Sequence, residues 1–161
     1  MSQPAEEEAS WRRRLGSRAN NRGWALSEKA SRTSEEDQEM LDAAHASMHL
    51  WSPIGNAHNL ALGRLLLGQV HALLGNAQYA MSHAEAAHSY FTSRTSEPWE
   101  MAMSHAVLAN AGHCIGDLPL HEANYRTAAA LVSALPNEEE RGILLATMNV
   151  VPKPQGCGRV A

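Results

Sequence analysis

Nine histidines in a chain of 161 residues are the first chemistry on offer. His45 and His49 stand four apart, the spacing that presents two imidazoles on one face of a helix and could begin a metal site. His83 and His88 follow, and His105 and His113 lie two helical turns apart. No His-Glu-x-x-His string accompanies them, and Glu85 is the only carboxylate in the middle of the His-rich region. Imidazoles filling half-polar helix positions, where other polar residues are scarce, account for the same pattern. No resident metal or other cofactor is therefore expected. Nucleophilic chemistry is no better served. His113-Cys114 and Ser104-His105 are sequence neighbours, and neighbours on a helix point in different directions. No P-loop and no Gly-x-Gly-x-x-Gly string is present. The residues point away from an enzyme.

Helices must position whatever chemistry there is. Ala, Leu and Met supply much of the 44% hydrophobic content, aromatics reach only 5%, and β-branched Val and Ile are few. Turn signals divide the chain at Trp51-Ser52-Pro53, Leu74-Gly75-Asn76, Thr95 to Pro98, Ile115 to Pro119 and Leu135-Pro136-Asn137. Helical stripes such as Leu62, Leu66, Val70 and Leu73 run between them. The pattern predicts an all-α protein of seven helices near residues 6–30, 35–50, 54–74, 77–93, 97–115, 118–134 and 137–149. These form one domain over 1–150, with 151–161 as a flexible tail. Ser34, Ser96 and Asn137 stand where N-caps are needed, each followed by acidic residues that suit the positive end of the helix dipole.

Charge narrows the class of partner. A net charge of −4 offers no basic footprint for nucleic acid. The triplet Arg12, Arg13 and Arg14 lies one or two turns after Glu6, Glu7 and Glu8, as in a solvated, ion-paired helix. From Ala43 to Ala84 the one formal charge is Arg64. Such a stretch needs cover, either from neighbouring helices or from a second copy forming a homodimer through hairpin 54–93. Arg64 and His71 interrupt the best apolar run, so no membrane span is expected. The N-terminus lacks a signal-peptide run, and Cys114 and Cys157 make no disulfide framework, which suits a cytoplasmic protein.

The chain also repeats itself. Residues 60–91 align with the segment 41 positions later, and Gly75-Asn76 falls on Gly116-Asp117. In the middle unit Leu67-Gly68 is followed by His71 and then by the small stripe Ala80, Ala84, Ala87. In the third unit Leu108-Ala109, Tyr125 and Ala128 hold the matching places. In the first, Trp24 stands at a bulky position and Met40, Ala44 and Ser47 on the stripe. This pattern resembles tetratricopeptide repeats, in the longer form of about 40 residues found in MalT-like regulatory proteins. The resemblance implies three helical hairpins in an α-solenoid with a C-terminal capping helix.

It also implies a non-catalytic interaction module whose concave groove binds a peptide or partner helix. The polar positions then expected along the groove are Arg22, Lys29, Gln69, Asn110 and His113. Leu62 and Met103 stand where basic residues would complete a carboxylate clamp, so chain-terminus binding is not expected. The alternative is a His-rich, metal-binding helical bundle resembling DinB-like proteins, using His45 and His49. Trp51 and Trp99, beside Pro53 and Pro98, either clamp hairpins together or serve as exposed anchors.

Overall fold

The computed structural model describes residues 3–155, and these are all-α, with no strand among them. The helices are α1 (Gln3–Ser27), α2 (Ser34–Trp51), α3 (Ala57–Leu73), α4 (Ala77–Thr92), α5 (Pro98–Ile115), α6 (Leu118–Ala134) and α7 (Glu138–Val150).

Local chemistry sets their ends. Thr33 rather than Ser34 caps α2: its hydroxyl accepts the Glu36 N–H, and the Glu36 carboxylate accepts the Thr33 N–H at 3.1 Å. α3 starts later than residue 54 because the N–H groups of Ile54 and Gly55 still bond back to Trp51 C=O. Asn56 then caps it, accepting the Asn59 N–H at 3.0 Å. Ser96 does not cap α5. Its hydroxyl donates to Phe91 C=O at the end of α4, and the Glu97 N–H donates to the Glu100 carboxylate instead. Asn137 caps α7 as its sequence suggests. The matched turn glycines, Gly75 and Gly116, adopt φ of +76° and +84°, a region that any side chain would strain.

The helices pair as three hairpins, α1–α2, α3–α4 and α5–α6, followed by α7. Each first helix also lies on the next first helix, α1 on α3, α3 on α5 and α5 on α7. Each second helix packs on the first helix of the following unit. This progression is solenoid-like. The small stripes face inward: Met40, Ala44 and Ser47, then Ala80, Ala84 and Ala87, then Ala128, are all buried. A Cβ on Gly68 would stand 3.2 Å from the Ala84 backbone nitrogen, so glycine lets α3 and α4 close up.

α3 touches α1, α2, α4 and α5, and is buried continuously from Leu65 to Ala72. The chain itself therefore covers this charge-poor helix. After α7, Val151 and Pro154 are buried rather than loose, and residues 153–155 lie beside His113, Leu118, His121 and Glu122. Cys157 lies outside the described residues. No helix among the described residues is long and apolar enough to cross a membrane.

Candidate functional site

The first helices of the three hairpins and α7 share one face, and along it runs an open groove of about 490 Å³. Trp24, Leu62, Trp99, Met103 and Ile143 line it, one or two from each of α1, α3, α5 and α7. Ile143 is 50% exposed, a large apolar side chain left in water. A second depression of about 200 Å³ adjoins the groove through Asn20, Asn21 and Leu62, and adds Ser17, Trp51 and Asn59. The furrow is thus apolar at its centre and amide-rich at one end. Its size is that of a ligand or peptide site.

Glu28, near the end of α1, closes the other side. Burial pushes its carboxyl above the usual carboxylate range, and the nearby Thr147 hydroxyl of α7 opposes this. The neighbouring cations are engaged elsewhere. Lys29 pairs with Glu36, Arg22 makes a bidentate pair with Glu39 at 2.7 Å, and Arg32 pairs with Asp37.

The five polar positions expected in the groove fall in three places. Arg22 and Lys29 are exposed and held by carboxylates of α2. Gln69 and Asn110, 0% and 3% exposed, hydrogen-bond to each other between α3 and α5. His113 is exposed beside residues 153–155, its ring centre 5.1 Å from that of His121. The structure does not bring the five together, and none of them lines the groove. Leu62 and Met103, matched one repeat apart, do line it. Trp51 packs on Gly16, where a Cβ would come within 2.8 Å of the indole, so it clamps α1 to α2 while bordering the smaller depression. Trp99 is half-buried in the groove wall.

The histidines pair across helices. His45 of α2, His71 of α3 and His83 of α4 form a row with ring centres 5.5 and 5.7 Å apart. His71 and His83 are stacked within 6° of parallel, so they present faces, not lone pairs, to one another. Burial first, then His71, Arg64 and His45, push the His83 pKa down to about 4. His49 is exposed one turn beyond His45. No group of three or more His, Cys, Asp or Glu among the described residues is arranged to hold a metal ion.

Ser104 lies 3.2 Å from His88 Nδ1, a pairing across helices that the sequence hides, but its hydroxyl donates to Met101 C=O and is fully buried. Such a serine is neither activated nor reachable. Burial raises the Cys114 thiol pKa, which keeps it protonated. The buried Glu100 accepts the Glu97 N–H and pairs with His58 of α3, so it ties α5 to the preceding hairpin.

No protein-family model matches the chain, and no curated protein or solved structure is similar enough to place it.

Sequence reasoning did not reach Asn20, Asn21, Glu28 and Ile143 as groove residues. The only signal for them was the 41-residue offset, which relates Leu62 to Met103 but weakens in the first unit and does not extend to α7.

Proposed function

We propose that the chain is a non-catalytic protein–protein interaction module, a tetratricopeptide-repeat-like adaptor that binds a peptide or partner helix along its first-helix face. One observation carries this reading: the large apolar groove is built from the first helix of every hairpin plus α7, with Trp24, Leu62, Trp99, Met103 and Ile143 as its lining. Aromatic and large apolar side chains at the centre of a concave face, with amides at its end, suit an occupant that buries a few anchors and uses its backbone polar groups. The paired histidines and the buried Ser104 act within this reading as interhelical packing groups. A cytoplasmic location accords with Cys114 as a free, half-buried thiol.

A displayed random-peptide selection against the purified protein tests the proposal. Selected peptides should quench or shift Trp24 and Trp99 fluorescence, and should lose binding to the variants Leu62→Glu and Met103→Glu while circular dichroism stays helical. Peptides that bind both variants as well as they bind the parent protein would rule out the groove as the site.

A further inference from the structure

The groove reading leaves open what the occupant looks like, and the electrostatics of the furrow bear on that. Among the described residues lining the groove, Glu28 is the single charged group, set against Trp24, Leu65, Trp99 and Ile143. It makes no ion pair among the described residues, although three cations lie within six residues of it in the chain. Lys29, Arg22 and Arg32 are turned to Glu36, Glu39 and Asp37. A half-buried carboxylate beside apolar walls has lost hydration without gaining a counter-charge. Thr147 faces it without completing a hydrogen bond. An incoming ammonium or guanidinium would supply what α1 lacks, in a setting less screened than open surface.

Resting on the groove reading, we propose that the site is selective for a basic apolar peptide segment. Its lysine or arginine sits beside Glu28 while its apolar side chains fill the space between Trp24, Leu62, Trp99, Met103 and Ile143. The furrow's continuation past Asn20 and Asn21 into the smaller depression with Ser17 and Asn59 favours a chain over a compact molecule. Those amides can meet the donors and acceptors of a peptide backbone. An acidic segment would set like charge against Glu28 and be excluded.

The test is a charge swap run in the same selection. Displayed random peptides are panned against the parent protein, Glu28→Gln and Glu28→Lys, each first checked for unchanged helicity and cooperative melting. Clones from the parent should combine large apolar residues with Lys or Arg at a fixed spacing. That basic position should disappear with Glu28→Gln and become Asp or Glu with Glu28→Lys. A synthetic peptide from the parent selection should bind Glu28→Gln about tenfold more weakly. Its binding to the parent should also weaken as salt is raised. Clones that depend on Leu62 and Met103 but show no basic position would overturn the selectivity and leave the groove reading standing. An absence of groove-dependent clones from all three selections would overturn both.

Discussion

Asn110 donates its side-chain N–H to the carboxamide oxygen of Gln69 at 3.0 Å, and the two residues lie 41 positions apart, at the same place on α5 and α3. The bond joins successive first helices in the interior. Among the described residues Gln69 Nε2 has no partner, so the pair is not fully satisfied.

Removing one member should therefore cost more than removing both. Asn110→Leu strands the remaining Gln69 oxygen and should lower stability by about 1–3 kcal/mol. Adding Gln69→Leu removes the stranded amide and should recover much of that loss. Urea denaturation of the two single variants and the double variant measures the coupling. Strictly additive costs would mean that the hydrogen bond contributes nothing beyond the packing of each side chain.

Gly68 and Gly142 should respond to alanine in opposite directions. At Gly68 the new Cβ would meet Val107 Cγ1 at 2.9 Å and the Ala84 backbone at 3.2 Å, and backbone cannot give way cheaply. Gly68→Ala is expected to destabilise by about 1–3 kcal/mol. At Gly142, on the exposed side of α7, nothing lies within 4 Å. Gly142→Ala should stabilise by about 0.4–1 kcal/mol through the unfolded chain's entropy. Thermal melting of both variants decides this, and a neutral Gly68→Ala would contradict the close α3–α4 approach.

Acid should weaken the fold through the histidine row. The His83 pKa is about 4 in the folded chain against 6.5 for an unperturbed histidine, and burial also lowers His71 and His88. Between those two pH values the unfolded chain binds more protons, so stability rises with pH across the window. The contribution of neutral His83 is complete above pH 6.5 and is lost as pH falls toward 4. Glu28, raised above 4.5, works in the opposite sense, its contribution fading as pH rises through its folded value. Urea midpoints measured from pH 7.5 to 5 should fall with acid, and His83→Gln should flatten the decline. An unchanged slope in that variant would move the effect to other groups.

Loss of the Asn137 cap should loosen the last wall of the groove first. Asn137 accepts the Glu139 and Glu140 N–H groups, and α7 carries Ile143 into the lining. Asn137→Ala should cost about 1 kcal/mol. Hydrogen exchange should then show faster opening of α7 amides than of α3 or α5. Uniform acceleration through all helices would argue that α7 does not open on its own.

Much of the architecture was legible without coordinates, because it depends on information within a few residues. Apolar spacing marks where Leu62, Leu66 and Val70 form a stripe, and Gly75 and Gly116 mark turns that need positive φ. The Ala80, Ala84 and Ala87 series marks a helix that packs closely, and the structure buries all three. Periodicity determines that a helix has an inner and an outer side.

It does not determine which neighbour covers each flank. Gln69 and Asn110 read as groove residues because they are polar and recur at the repeat offset. The α1–α3–α5 packing turns them inward instead, where they share one hydrogen bond. Arg22 and Lys29 had acidic partners on α2 that only the first hairpin's geometry selects. The groove itself collects residues from four helices, up to 123 positions apart from Asn20 to Ile143. By itself the sequence determined the helices, their turns and their close-packed stripes, since these follow from local backbone preference and the 3.6-residue period. Tertiary structure alone decided that Glu28 stands without a cation among the described residues, beside an apolar furrow, because a side chain's counter-charge is set by the packing of whole helices.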